Sequence, residues 1–242
     1  MSVVLKATGF TAADFDRLGR TASEPDAISS QSQKIDALIH GLNQTTFASR
    51  FMAARTSMGL NAEGLYSAKG EYVHGGDNGH WYIFHRGGRW EPEFNIGMYG
   101  TRPGRERYLR IGLGFNLTLA SKDPNRQHGQ QRVKELFRNL QWASRSSSKA
   151  AVVSAVTIGR AKAEHVGEPT NTPPQSPDAI ADWVARHVDP DATRWLFIGR
   201  ALSPDDPGEA AILADMRTLV SEASKTFTGW LPVWETALRG IE

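Results

Sequence analysis

Residues 107–117 read Arg-Tyr-Leu-Arg-Ile-Gly-Leu-Gly-Phe-Asn-Leu, and this stretch decides the fold. Leu109, Ile111, Leu113, Phe115 and Leu117 alternate with Tyr108, Arg110, Gly112, Gly114 and Asn116. A period of two marks a strand with one face in a core. Arg107 heads the apolar set. The other face carries two glycines in line, flanked by Tyr108, Arg110 and Asn116. Such a side-chain-free strip admits a ligand, a ring or another backbone. A large aromatic from a neighbouring strand covering it is the equal alternative.

Upstream, Trp81-Tyr-Ile-Phe-His-Arg86 and Arg89-Trp-Glu-Pro-Glu-Phe94 flank Gly87 and Gly88, which predicts a two-residue hairpin turn. That register sets Tyr82 opposite Glu93 and Trp81 opposite Phe94. Trp81, Trp90 and Phe94 then share a nearly apolar face and belong to the core, where clustered tryptophans usually sit. Arg86, Arg89, Glu91 and Glu93 share the other. Pro92 has no amide donor for a ladder, so its strand is expected at an edge or at a bulge.

Working outward, both flanks read helical. Thr11 is placed to cap a short helix through Leu18, with Asp14 and Asp16 in its first turn. Ile35, Leu38, Ile39 and Leu42 recur at helical spacing, and Phe47, Phe51, Met52 and Arg55 carry the pattern on to Gly59. Asp123-Pro124 turns into a helix over 129–144 with Val133, Leu136, Phe137 and Leu140 inward. Ala151–Ile158 and Trp195–Gly199 read as strands. Pro177 opens a helix bearing Ile180, Trp183, Val184 and His187, and Ala210–Phe227 reads as one amphipathic helix. The expected architecture is α+β: a central, mainly antiparallel curved sheet flanked by N- and C-terminal helices. It is read as one domain over 1–242, with a basic sheet-plus-helix unit at 75–145 and a C-terminal α/β part at 150–242.

Charge is unevenly spread. The chain has a net charge of +2, yet residues 81–149 carry 13 Lys/Arg against 5 Asp/Glu, a net of +8. Residues 1–80 are at −1 and residues 150–242 at −5. A basic middle in a near-neutral chain points to a localised anion-binding surface. Arginine suits phosphate, because its planar fork matches phosphate geometry and does not deprotonate. The expected nucleic-acid contacts are Arg86 and Arg89 at the hairpin, Arg102 and Arg105 in the loop 101–107, and Tyr108, Arg110 and Asn116 on the strand. There is no cysteine, which excludes disulfides, Cys-ligated zinc and thiol catalysis and fits a reducing compartment. No apolar stretch approaches the length of a membrane helix, so a soluble cytoplasmic protein is expected.

The clearest catalytic arrangement is Asp77 followed by Glu91 and Glu93. Convergent carboxylates of this kind hold Mg²⁺ beside a scissile phosphate in metal-dependent nucleases. Pro92 between the glutamates, and no lysine in the usual third position, make the pattern irregular. A salt-bridged sheet face is the simpler alternative. His74, Asp77, His80 and His85 have metal-site spacing, but the hairpin places His80 and His85 on opposite faces. G-x-S-x-G, P-loop and H-E-x-x-H motifs are absent.

The run WYIFHRGGRWEPEFNIGMYG followed by RYLRIGLGFNL resembles the recognition domains of restriction-type and modified-DNA-reading proteins over residues 75–145. The resemblance implies a curved sheet with Arg-rich loops set against duplex DNA, and no catalytic residue is carried over from it. Three functions are therefore open. The leading one is recognition of duplex DNA in a restriction or phage-defence system. The second is an Mg²⁺-dependent endonuclease using Asp77, Glu91 and Glu93 as catalytic and metal-binding residues. The third is a small-molecule or protein-binding module with its ligand on the Gly112/Gly114 strip.

Overall fold

The computed structural model describes residues 8–20, 25–60, 80–82, 91–100, 106–117, 152–158, 163–166 and 193–239, with parts of 131–138 and 186–189. Five helices and six strands are defined there. In chain order they are α1 (Ala12–Arg20), α2 (Pro25–Asn43), α3 (Thr46–Ser57), β1 (His80–Tyr82), β2 (Glu93–Tyr99), β3 (Tyr108–Asn116), β4 (Val152–Ile158), β5 (Ala163–Val166), β6 (Thr193–Leu202), α4 (Pro207–Ala214) and α5 (Met216–Arg239). The described residues of 131–138 are also helical, and Val133 and Leu136 are buried as expected.

The six strands make one open sheet in the order β1-β2-β3-β6-β4-β5, and every pairing is antiparallel. The fold is α+β. β3 lies inside this sheet, between β2 and β6, so the basic central unit and the C-terminal part share a single ladder. Strict alternation along β3 fixes its register. Leu109, Ile111 and Leu113 pair with Met98, Ile96 and Phe94 on one side and with Leu202, Arg200 and Ile198 on the other.

That face is covered by helices. Ile35, Leu38, Ile39 and Leu42 of α2 are buried, as are Phe47 and Phe51 of α3 and Leu219, Ala223, Phe227, Trp230 and Trp234 of α5. Phe47, Phe51, Phe94, Phe227 and Trp234 form one aromatic cluster, with Phe94 edge-on to Phe47 at 4.9 Å and to Phe51 at 5.2 Å. Fully burying each such ring stabilises the fold by roughly 2–3 kcal/mol, and the edge-to-face contacts add to that. Phe94 is thus core, as read from the sequence. Trp90 and the side chain of Trp81 lie outside the described residues.

Local signals at the helix ends are honoured. Asp14 Oδ2 accepts from the Thr11 amide at 2.7 Å and from Thr11 Oγ1 at 3.0 Å, the carboxylate half of a capping box at the start of α1. The same oxygen takes Lys34 Nζ at 2.7 Å and ties α2 to α1. Gly59 ends α3 at φ +68°, with the Leu60 amide donating to the Arg55 carbonyl and the Gly59 amide to Thr56, a Schellman closure.

Three expectations change. β1 pairs His80 with Tyr99, Trp81 with Met98 and Tyr82 with Gly97, whereas the predicted register set Trp81 opposite Phe94 and Tyr82 opposite Glu93. The shift is four residues, an even number, so β1 and β2 stay in the predicted phase. The strand read as Trp195–Gly199 runs from Thr193 to Leu202. Its Arg200 points at the helical side, where Glu222 of α5 meets it at 2.6 Å. Finally, Ala210–Phe227 is not one helix. It breaks at Asp215, whose extended backbone (φ −104°, ψ 109°) bridges Thr8, while Gly9 and Phe10 donate to the carbonyls of Ala214 and Leu213. The helix read over 177–187 falls almost entirely outside the described residues.

Candidate functional site

The second face of the sheet holds the residues that the sequence singled out for function. The register aligns Glu93, Asn95, Gly97 and Tyr99 of β2 with Gly114, Gly112, Arg110 and Tyr108 of β3. Across β3, the same face continues into Phe197, Gly199 and Ala201 of β6. Its centre is buried: Glu93 is 4%, Asn95 1%, Arg110 4% and Phe197 0% exposed. Tyr99 and Tyr108, at the end of the two strands, are half-buried.

The glycine strip is filled from within. A Cβ on Gly112 would stand 2.8 Å from the Phe197 ring and 2.6 Å from the Gly199 Cα, and Gly199 is equally tight against Gly112. The absence of a side chain at Gly112 leaves room for the phenyl ring over that position. Arg110 then stacks on that ring, its guanidinium carbon 4.4 Å from the Phe197 centroid. On its other flank the same carbon is 5.2 Å from Tyr99, and Tyr99 stacks on Tyr108 at 4.5 Å with planes 19° apart. Arg110 Nε donates to Asn95 Oδ1 at 3.1 Å. The Asn95 amide nitrogen is buried with no hydrogen-bond partner among the described residues. A column Phe197–Arg110–Tyr99–Tyr108 thus crosses the face from its buried centre to its accessible end. Of the two alternatives for the strip, the neighbouring aromatic is the one present.

The predicted contact residues separate accordingly. Arg110 is buried under rings rather than offered to a duplex, because burial is compensated by the cation–π contacts and the bond to Asn95. Tyr108 is part-exposed. Asn116 pairs with Trp195 along the backbone, and its side chain lies outside the described residues, as do Arg86, Arg89, Arg102 and Arg105. The strand ends that bound these arginines are described. The segment bearing Arg86 and Arg89 joins Tyr82 to Glu93, and that bearing Arg102 and Arg105 joins Tyr99 to Tyr108. Those anchors are the two opposite ends of β2.

Glu91 and Glu93 lie in different surroundings. Glu91 is buried on the way into β2 and is held by Arg55 of α3, Nη1 to Oε2 at 2.5 Å and Nη2 to Oε1 at 3.3 Å. The Arg55 guanidinium also lies 5.5 Å from the Phe51 ring and 6.0 Å from Trp234. The salt-bridged alternative thus holds for Glu91, with Arg55 as a partner. Glu93 is buried beside Asn95 on the second face, and Asp77 lies outside the described residues. Among the described residues, no three His, Asp or Glu side chains are grouped to hold a metal ion. Arg107, at the head of β3, is a structural cation: it bridges Asp205 and Asp16, each at 2.6 Å. These partners raise the Arg107 pKa, led by the Asp205 hydrogen bond, and Arg107 in turn holds the Asp205 carboxyl below its usual range.

Sequence reading missed Asn95, Tyr99 and Phe197. The signal for Phe197 was the glycine pair itself, which called for an aromatic neighbour. Tyr99 became visible only through the Tyr99–Tyr108 register. Among the described residues no helix is long and apolar enough to cross a membrane. No protein-family model matches the chain, and no curated protein or solved structure is significantly similar to it.

Proposed function

We propose that this is a cytoplasmic DNA-binding protein that recognises duplex DNA within a restriction or phage-defence system. The observation that carries the reading is the concentration of charge in residues 81–149, net +8 against −1 and −5 for the flanks, within a chain of net charge +2. Strands β2, β3 and all of β1 but His80 belong to this segment and are consecutive in the sheet, so the basic stretch makes one contiguous half of it. The two arginine-bearing segments attach at opposite ends of β2, separated by roughly 20 Å at strand rise. That separation suits an extended polyanion, spanning about six phosphates of one strand, better than a single small anion. The buried column on the second face stiffens the platform between the two ends. Arg110 acts in this reading as a support, and direct contact falls to Arg86, Arg89, Arg102, Arg105, Tyr108 and Asn116.

Charge-led binding is tested by titrating salt against a labelled duplex. Neutralising several phosphates gives a log–log slope of about −0.9 for each. Replacing Arg86 and Arg89, or Arg102 and Arg105, with alanine lowers the slope by about two units of phosphate contact per pair. Binding that is absent, or that does not change between low and moderate salt, overturns the reading. Base-modified and unmodified duplexes in the same titration separate recognition of a modification from general affinity.

A further inference from the structure

We infer that Thr8–Phe10 is a latch on a two-state helix: while it is docked the chain breaks at Asp215, and when it lifts, α4 and α5 join into one continuous helix. Between Glu209 and Thr228 the sequence holds neither glycine nor proline, so no residue there is a strong helix breaker. The apolar spacing also runs through the break without a change of phase. Leu213, Met216, Val220, Ala223 and Phe227 follow one another at steps of three or four, and all but Val220 are fully buried.

The hydrogen bonds show what holds the break. In an unbroken helix the Leu213 carbonyl accepts from the Arg217 amide and the Ala214 carbonyl from the Thr218 amide. Each of these four groups has another partner here. The Phe10 amide donates to the Leu213 carbonyl at 2.7 Å, and the Gly9 amide to the Ala214 carbonyl at 3.0 Å. The Asp215 carboxylate accepts from the Thr218 amide at 2.8 Å and from the Arg217 amide as well. The latch thus takes the two acceptors and the aspartate takes the two donors. The latched pairing and the continuous helix compete for the same groups and exclude each other. Exchanging one for the other leaves none of the four unsatisfied, which is what makes the junction bistable.

The latch seats closely. A Cβ on Gly9 would fall 2.0 Å from the Leu213 carbonyl oxygen, Phe10 is 1% exposed, and Thr8 bridges Asp215 itself. The two elements it joins also meet at the head of β3. There Arg107 holds Asp16 of α1, which follows the latch, and Asp205, which precedes α4, each at 2.6 Å. Arg107 is therefore the contact through which a change at the junction reaches the sheet.

The test is solution NMR of the full chain as wild type, Gly9→Ala and Asp215→Ala. In wild type the Asp215 Cα chemical shift lies on the extended side of its random-coil value, as φ −104° and ψ 109° require. Gly9→Ala unseats the latch and is expected to move that shift to the helical side. The Arg217 and Thr218 amides are expected to keep their protection from exchange, having passed to Leu213 and Ala214. An Asp215 that stays extended in Gly9→Ala, or Arg217 and Thr218 amides that lose protection there, overturns the latch. Asp215→Ala approaches from the other half. With the competing carboxylate gone, the balance moves toward the continuous helix, and exchange is expected to quicken at the Gly9 and Phe10 amides. A plain loss of a helix cap quickens exchange at Arg217 and Thr218 alone, and that result overturns the proposal. Asp215→Ala leaves the docking contacts of Gly9 and Phe10 in place, so it decides the question should Gly9→Ala fail to fold.

Discussion

Arg55 and Glu91, 36 residues apart in sequence, face each other in the interior as a two-pronged ion pair with side chains only 2% and 1% exposed. The pair fixes the point where the chain enters β2. One residue on, the Trp234 indole donates to the Pro92 carbonyl at 2.9 Å. Helices α3 and α5 thus hold the start of the strand through polar contacts embedded in an aromatic cluster. Removing one partner takes this bidentate contact away from the other buried charge, so Glu91→Ala or Arg55→Ala is expected to lower stability by about 3–5 kcal/mol. Arg55→Met combined with Glu91→Leu removes both charges and is expected to be less damaging than either single alanine variant. Urea unfolding of the four proteins checks this. A double variant as unstable as the sum of its parts contradicts it.

Gly112 and Gly199 are held to glycine by close approach, and Gly59 by backbone conformation. An alanine Cβ at Gly112 meets the Ile198 carbonyl oxygen at 2.3 Å, and one at Gly199 meets the Ile111 carbonyl oxygen at 2.2 Å. These are backbone atoms of paired strands and cannot step aside. Gly112→Ala and Gly199→Ala are each expected to cost about 2–3 kcal/mol through strand displacement. Gly59 has open space around its Cβ position, so Gly59→Ala pays only for its φ of +68°, about 1 kcal/mol. Midpoints from denaturant melts rank the three. A harmless Gly112→Ala would mean the two strands are not packed as described.

The sheet could be read from the chain because β3 alternates strictly and has no charge on its core face after Arg107. The helices of the core side were equally plain in Ile35, Leu38, Ile39 and Leu42. Errors arose where a local pattern was outvoted by a distant partner. Gly87-Gly88 has turn chemistry, yet the β1–β2 pairing that forms is four residues away, and only the even size of the shift kept the two strands in phase. Ala210–Phe227 has unbroken helical spacing, and the break at Asp215 comes from Thr8, more than 200 positions earlier. The site was harder still. Glu91 and Glu93 looked like one acidic pair, whereas Arg55 draws the first into the helical interior. Arg110 looked like a surface cation because nothing in β3 itself announces Tyr99, and the glycine pair does not say which aromatic covers it.

Acid is expected to weaken the contacts that close the end of β3 and brace β6 against α5. Asp205 is held below the usual carboxylate range chiefly by its hydrogen bond from Arg107, and Glu222 chiefly by its bond from Lys225, with Arg200 adding to it. A carboxyl with a lowered folded-state pKa binds protons less readily than its unfolded counterpart. Its stabilisation is therefore present at neutral pH and is lost as pH falls below about 4. Arg107, with its pKa raised, stays charged throughout this range and does not offset the loss. Melting temperature should fall on acidification from pH 5 to pH 3, and the fall should be shallower in Asp205→Asn and Glu222→Gln. Identical acid limbs in wild type and both variants would rule these two carboxylates out.

The junction between α4 and α5 depends on two features that separate variants can isolate. Asp215 Oδ1 accepts from the Thr218 amide at 2.8 Å and so caps the start of α5, while its backbone bridges Thr8. Asparagine has the same acceptor, so Asp215→Asn should melt close to wild type, and Asp215→Ala should melt lower because the first-turn amide loses its partner. The bridge side is more demanding. A Cβ on Gly9 would fall 2.0 Å from the Leu213 carbonyl oxygen, and the next residue, Phe10, is a fully buried core ring. Gly9→Ala is therefore expected to push the N-terminal segment off α4 and expose the Leu213 and Ala214 carbonyls that it now satisfies. Hydrogen exchange should then quicken at the Gly9 and Phe10 amides and leave the α5 interior, from Leu219 to Trp234, protected. Exchange accelerating equally along α5 would show that the N-terminal segment supports the whole helix rather than the junction alone.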